Sequence, residues 1–394
     1  MQPWGTPPDI YGFQGGDLRG VIQKLDYLLD LGINAIYLNP IFQASSSHRY
    51  NTYDYLKIDP KLGDLRDFHA LMDAAHQNGV RVVLDGVFNH VGRGFFAFTD
   101  VLENQERSAY RDWFHIDKFP VEGYGAGEAT TYLGWWKYKS LPKLNIANPR
   151  VRAYLMGVAR YWIEQGADGW RLDVPNEIDD DGFWEEFRRV VKAVNPEAYL
   201  VGEIWDGDPR WLGDRHFDGL MNYPLREVLL GVLTGKLAVG AFAEKLESIL
   251  NKQYAPENVY AMYNPIGSHD TERALTMLNG DLTKLKLAWL IQMALPGAPA
   301  VYYGDEVGLE GGKDPECRKA FPWDTFDQKA DLHHYLRRLI HWRKRLPVLR
   351  RGGFQRVPTQ DGRGCLAFAR NLGEAHLVVA FNAGATRRQV RVNA

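Results

Sequence analysis

The sequence predicts an α/β fold built as a barrel of parallel strands, on three observations. Helical and strand-like segments alternate along most of the chain, seven short apolar segments carry polar residues at their C-terminal ends, and after Pro347 the pattern shifts to short alternating segments bounded by Gly and Asn. Strands that alternate with helices are parallel strands joined by crossovers, and a (β/α) barrel builds its active site where those strands end. With 394 residues the chain exceeds the ~250 that one such barrel absorbs, which leaves material for further lobes.

The elements follow in order. Leu18, Val21, Ile22, Leu25, Leu28 and Leu29 recur at helical spacing, with Asp17 as N-cap and Gly32 just past the end. Strand 34–38 follows, then helix 65–78, strand 80–84, helix 150–165, strand 169–172, helix 182–194 and strand 199–202. Apolar segments 219–221, 259–263 and 300–303 continue the series. Residues 91–148, rich in Gly and aromatics, interrupt it and read as an inserted lobe, because a connection that long is usually functional. The barrel is expected over 1–90 and 149–346. GGFQRV, CLAFAR, HLVVAFN and RRQVRV predict a small antiparallel β domain over 347–394.

Composition excludes several classes. With 47 Lys and Arg against 49 Asp and Glu, the net charge of −2 offers no electrostatic reason for nucleic acid or an anionic membrane as partner. No apolar run approaches the ~20 residues of a membrane span. Met1 to Tyr11 lacks the basic and apolar regions of a signal peptide, and the two cysteines, Cys317 and Cys365, form no disulfide framework, so a cytoplasmic setting is expected. The 12 Trp and 20 Tyr suit sugar faces, although aromatics are core residues first.

The chemistry lies at the strand ends: Asp85 and His90 in LDGVFNH, Asp173 in GWRLDVPNE, Glu203 in GEIWD, His269 and Asp270 in GSHDTER. In a barrel these converge on one cleft. Arg171 and Asp173 share one side of a strand, so the guanidinium is expected to keep that carboxylate ionised and lower its pKa. An ionised carboxylate beside a proton-donating carboxyl is what retaining glycosidases need, at ~5–5.5 Å separation. Asp173 fits the nucleophile. Glu203 fits the general acid, and Asp270 the third carboxylate that faces the developing positive charge.

With DGVFNH, GWRLDVPNE, GEIW and GSHD in this order, the chain resembles the α-amylase family of glycoside hydrolases. The resemblance implies a (β/α)8 barrel of the TIM type with an inserted B domain and a C-terminal β domain. It implies α-retaining cleavage with Asp173 as nucleophile, Glu203 as acid/base and Asp270 as transition-state stabiliser. His90, Arg171, His269 and Tyr50 would bind the sugar in the cleaved subsite. LPKLN, GGDLRGVIQKLDYL, the stretch around His48, RDWFHI and DPECRKAFPW are similar to the neopullulanase, cyclomaltodextrinase and maltogenic amylase subfamily. By that comparison Asp314 and Arg318 bind sugar hydroxyls at the closed end, His48 is a further substrate-binding residue, and Trp205 and Glu177 face the acceptor, so some transglycosylation is expected.

By the same comparison an N-terminal domain and a first barrel strand are missing before Asp17. The expectation is an incomplete or distorted barrel of about seven strands, with 9–13 as a surrogate strand or a partner chain as the alternatives. The function expected is hydrolysis of α-1,4 and some α-1,6 glucosidic bonds in cyclomaltodextrins, pullulan, maltodextrins or starch. An open-cleft α-amylase acting on linear substrates is the alternative, and a noncatalytic sugar-binding barrel the remote one. No organic cofactor is required.

Taken singly, each carboxylate has an ordinary explanation: Asp173 as a salt-bridge partner, Glu203 as a loop-edge charge, Asp270 as an N-cap. Four ordered motifs outweigh these. His48, His90 and His269 lack zinc spacing. Asn89 resembles a family ligand of structural calcium, but the rest of such a cage is not recognisable. Trp135 and Trp136 read equally as sugar platforms or lobe core. Arg337, Arg338, Arg343, Lys344 and Arg345 read as a solvated helix face, and Cys317 as a small buried residue.

Overall fold

Seven parallel strands make the centre of the protein, in a computed structural model that describes residues 2–325, 330–357, 364–384 and 386–389. Strands β1 (Ala35–Leu38), β4 (Arg81–Gly86), β5 (Gly169–Leu172), β6 (Tyr199–Gly202) and β7 (Gly219–Leu220) pair in that order. Strands β8 (Tyr263–Pro265) and β9 (Ala298–Ala300) form a second parallel pair, which a bridge from Met221 to Tyr263 joins to the first sheet. Between them, β2 (Phe42–Ala44) and β3 (Thr52–Ile58) make an antiparallel hairpin. Pairing sets Asp85 opposite Arg171 and Arg171 opposite Val201, so the charged residues stand side by side on neighbouring strands. Gly219 permits one close approach: a Cβ there would lie 2.0 Å from the Ala261 carbonyl oxygen.

The helices form as their sequences direct. Asp17 accepts from the Gly20 N–H, and Gly32 ends the pair of short helices Leu18–Gln23 and Leu25–Leu31 in a left-handed conformation. The expected single helix is therefore broken at Lys24. A capping box between Asp64 and Asp67 starts the helix Leu65–Gln77. The helix Asp181–Val194 buries Phe183, Trp184, Phe187, Val190 and Val191 on one stripe against the sheet. Trp162, Trp170, Trp184 and Trp289, all fully buried, belong to one continuous core.

The barrel is open. Among the described residues no strand pairs β9 with β1, and Ala35 and Ala298 on these two edges are exposed. The helix layer closes over the seam: Arg337 on the helix Ala330–Arg345 pairs with Asp30 at 2.6 Å. The expected incomplete barrel is what forms, and residues 9–13 are not a surrogate strand. Their backbone makes no strand pairing and lies over the loop that follows β2, where Ser47 Oγ donates to the Ile10 carbonyl and the Phe13 ring sits under Lys61 and Arg49.

Between β4 and the helix Pro149–Glu164, the inserted residues fold as the helix Phe96–Asn104, short 3-10 turns and isolated antiparallel bridges. Strands β10 (Gly353–Val357), β11 (Cys365–Leu372) and β12 (Ala375–Asn382) form the small antiparallel C-terminal sheet. The fourth expected segment, RRQVRV, lies partly outside the described residues. No described helix is long and apolar enough to cross a membrane.

Two arginines fasten this sheet to the barrel. Arg343 is buried and donates to the carbonyls of Met293, Leu295, Gly297 and Leu349. Arg370 on β11, fully buried, donates to those of Ala294, Leu349, Gly352 and Gly353. The reading of Arg343 as solvated is thus corrected. Burial brings both groups down to about 10. Replacing either by Met is expected to cost about 3 kcal/mol, because it orphans several buried carbonyls at once. Thermal unfolding of the variants checks this, and an unchanged melting temperature would refute it.

Candidate active site

Strand ends bring the charged residues together. Arg171 Nη1 contacts both Asp85 oxygens at 3.1 Å and Asp173 Oδ1 at 3.0 Å, and its Nη2 meets Glu203 Oε2 at 2.8 Å. One guanidinium thus serves three carboxylates, and all four groups are buried. This corrects the expected effect on Asp173. Burial first, and the negative Glu203 next, push Asp173 well above the ordinary carboxylate range, and the shared Arg171 only partly offsets them. Asp85 is raised for the same leading reason. A proton here belongs to the group of carboxylates as a whole rather than to one residue.

The β2–β3 hairpin delivers the ring residues, because its turn carries His48, Arg49 and Tyr50. Tyr50 Oη donates to Asp85 at 2.8 Å and lies 2.5 Å from His269 Nε2, with the Tyr50 and His269 rings nearly parallel. His269 Nε2 is 3.2 Å from Asp270 Oδ2. Burial and then Glu203 raise Asp270 to about 6. His90 contacts the Tyr50 carbonyl at 3.1 Å and stacks on Trp135 with ring centroids 4.7 Å apart. Burial lowers His90 to about 3 and His48 to about 4, and it carries His269 well below its usual value. These imidazoles are neutral near pH 7, which suits them to hydrogen bonds with sugar hydroxyls.

On one flank, Arg318 pairs with Asp314 at 3.0 Å, approaches Asp270 at 3.7 Å and donates to the His269 carbonyl. Cys317, buried, donates to that carbonyl as well. Here His48, Arg49, Asp314 and Arg318 border a cavity of about 190 Å³ whose other wall is the segment from Pro8 to Gly16. The amide nitrogen of Gln14 in this wall is buried with no hydrogen-bond partner among the described residues.

On the opposite flank, Lys143 reaches Glu177, with Nζ 2.8 Å from its carbonyl and 3.6 Å from its carboxylate. Trp205, half-exposed, donates its indole N–H to Glu203 Oε1 at 3.1 Å and lies flat on Tyr223. Val174 sits in the left-handed region at φ 35°, a strained position for a β-branched residue, and its N–H donates to Glu203 Oε2 at 3.1 Å. Pro175 follows as the first residue of a 3-10 turn.

All the sequence-expected residues therefore meet in one region. Sequence reasoning passed over Tyr37 of β1, which donates to Asp85, together with Lys143 and Tyr223. Tyr37 carried a usable signal, since it lies near the end of the strand segment IYL like the other site residues. Trp135, left open between platform and core, is half-buried and stacks between His90 and the largely exposed Trp136.

For calcium the structure offers Asn89 as one oxygen. Among the described residues Asn89 Oδ1 is buried without a partner, calcium takes 6–8 oxygens, and no group of three or more His, Cys, Asp or Glu is placed to hold a metal.

A model of the α-amylase catalytic domain matches residues 5–348. The chain belongs to the α-amylase family. It is 44% identical over 384 residues to a cyclomaltodextrinase of Geobacillus thermopakistaniensis, covering 97% of this chain and 64% of that protein. With neopullulanase 2 of Thermoactinomyces vulgaris it shares 44% over 374 residues, 94% of this chain and 63% of the relative. The chain thus spans a little under two thirds of these relatives. Among solved structures, the cyclic α-maltosyl-(1→6)-maltose hydrolase of Arthrobacter globiformis in complex with cyclic α-maltosyl-(1→6)-maltose superposes with a TM-score of 0.92 at 41% identity, covering 97% of this chain and 85% of that one. The resemblance read from the motifs holds, both for the family and for the subfamily to which these relatives belong.

Proposed function

We propose that the protein is a retaining α-glucan hydrolase of the neopullulanase and cyclomaltodextrinase type, cleaving α-1,4 and some α-1,6 bonds, with partial transfer to sugar acceptors. The observation that carries this reading is the grip of Asp173 and Glu203 on one guanidinium, which keeps the two carboxyls close, as the ~5–5.5 Å pair of a retaining enzyme requires. His90, Arg171, His269 and Tyr50 hold the sugar that is cleaved. In the reacting state the proton sits on Glu203, whose repulsion of Asp173 then disappears, and Arg171 holds Asp173 as the carboxylate. Asp173 attacks the anomeric carbon as Glu203 protonates the departing oxygen, and Asp270 faces the positive charge that develops. Water, activated by Glu203, then releases the sugar from Asp173. An acceptor saccharide lying against Trp205 and Glu177 takes water's place in transfer. The cavity beside Asp314, Arg318 and His48 receives the next ring on the glycone side.

In this reading residues 1–90 and 149–346 form the catalytic unit, 91–148 a lobe over the cleft and 347–394 the C-terminal domain. The chemistry uses side chains alone and needs no organic cofactor. The cytoplasm is the working compartment, which the buried, unbridged Cys317 suits. Digestion of γ-cyclodextrin, pullulan and soluble starch in parallel tests the reading. Fast ring opening with maltose or panose among the products is expected. Starch cleavage alone would favour an open-cleft amylase, and inactivity on all three would refute the proposal.

A further inference from the structure

The two oxygens of the Glu203 carboxyl have unlike surroundings. Oε2 lies 2.8 Å from Arg171 Nη2 and 3.1 Å from the Val174 N–H. Both neighbours are donors with no capacity to accept, so a proton on Oε2 would point at N–H groups and find no partner. Oε1 has a different neighbour: among the described residues its hydrogen bond comes from Trp205 Nε1 at 3.1 Å. That single donor leaves one lone-pair direction of Oε1 free to carry a proton, whereas two donors already occupy those of Oε2.

Trp205 is half-exposed, yet its ring is held. It lies on Tyr223 with centroids 3.8 Å apart and planes 3° from parallel. Tyr223 is buried, and its Oη donates to Ser268 Oγ at 3.3 Å, while the Asp270 N–H donates to the same Ser268 oxygen at 3.3 Å. The brace therefore joins the loop that carries Glu203 to the loop that carries Asp270.

We propose that Glu203 delivers its proton from Oε1, and that Trp205, braced on Tyr223, positions this oxygen and stabilises the charge left on it. The proposal rests on Glu203 being the acid/base. In the first step the Oε1 proton passes to the glycosidic oxygen as the C–O bond breaks, and the bonding pair stays with that oxygen. Asp173 supplies the pair for the new bond to the anomeric carbon, and Glu203 is left as carboxylate. In the second step Oε1 takes a proton from water, whose oxygen bonds to the anomeric carbon as the Asp173 carboxylate departs with its pair. Negative charge thus grows on Oε1 as the proton leaves, and a donor already aimed there stabilises that transition state without reorganisation. The benefit is largest when the leaving group most needs protonation. Trp205 is in this sense a positioning residue, in addition to any contact it makes with an acceptor sugar.

The test compares two aryl α-maltosides that present the same phenyl ring to Trp205 but differ in leaving ability: 4-nitrophenyl, which departs with little help, and 4-methoxyphenyl, which needs the proton. Trp205→Phe keeps a smaller aromatic face and removes the N–H; the smaller face affects both substrates, whereas loss of the N–H affects chiefly the one that needs the proton. Because kcat/KM reports the first, glycosylating step, the variant is expected to lose about 10-fold more on the 4-methoxyphenyl than on the 4-nitrophenyl substrate. Tyr223→Leu, which removes the brace, is expected to lose in the same sense and less. Equal losses on both substrates would overturn the proposal, since packing or aglycone contact alone lowers both alike. Glu203→Gln separates the underlying reading: full activity of that variant on the 4-methoxyphenyl substrate would remove Glu203 as the acid, whatever Trp205 does.

Discussion

Asp173→Asn is expected to lower turnover of maltodextrins by at least ~10⁴-fold, the scale on which deletion of an attacking group acts. Binding should survive. The amide keeps the volume of the carboxyl, and Arg171 remains tied to Asp85 and Glu203. Removing one of the carboxylates crowded around a single guanidinium also relieves repulsion, so the variant should melt no lower than the parent at pH 7. Single-turnover assays and calorimetric titration with maltotetraose separate the two effects. Activity within 10-fold of the parent, on the scale set by ~1.4 kcal/mol per decade, would remove Asp173 from the nucleophile's role.

Arg171→Leu should be the most damaging change to the fold within the site. It leaves Asp85, Asp173 and Glu203 buried without their cation, and breaking a buried pair in this way costs about 3–5 kcal/mol. The pH dependence has a definite sign. Asp85 and Asp173 are raised above the ordinary carboxylate range even with Arg171 present. A raised acid contributes stability that is complete below its unfolded-state pKa and is lost as pH rises through the folded-state value. Without Arg171 the cluster shifts further up, so the variant should recover stability on acidification from pH 7 towards 5. Denaturant unfolding at both pH values checks this, and a stability gap from the parent that stays constant would refute the shared-cation account.

Much of the site was legible because barrel strands end in their functional residues. Asp85, His90, Asp173, Glu203, His269 and Asp270 could be located at the strand ends, and the resemblance to the family and subfamily supplied His48, Tyr50, Asp314 and Arg318. What stayed hidden was tertiary. The β2–β3 hairpin that presents Tyr50 is short and split by a serine run, so its pairing has little local signature. The left-handed conformation of Val174 contradicts the preference of its residue type and exists because the surrounding loop imposes it. Arg171 does lie beside Asp173, but its effect on that carboxyl depends on how many carboxylates divide its charge, which spacing along one strand does not reveal. Arg343 was read as solvated because of its charge, although its position seven residues after the buried Leu336 put it on the inward stripe of its helix.

The open seam has a consequence for how the molecule comes apart. A closed ring of strands has no end from which to unzip, whereas this one has two. Among the described residues strand β1 is held by β4 on one side alone, and its Tyr37 is one of the donors that fix Asp85. Fraying at that edge frees Tyr37 and slackens the Asp85–Arg171 grip while the helices and the buried tryptophans remain packed. On heating, catalysis should therefore fade before the global unfolding transition, with the amides of β1 exchanging hydrogen for deuterium ahead of those in β5 and β6, so that the least cooperative part of the fold sets the working temperature.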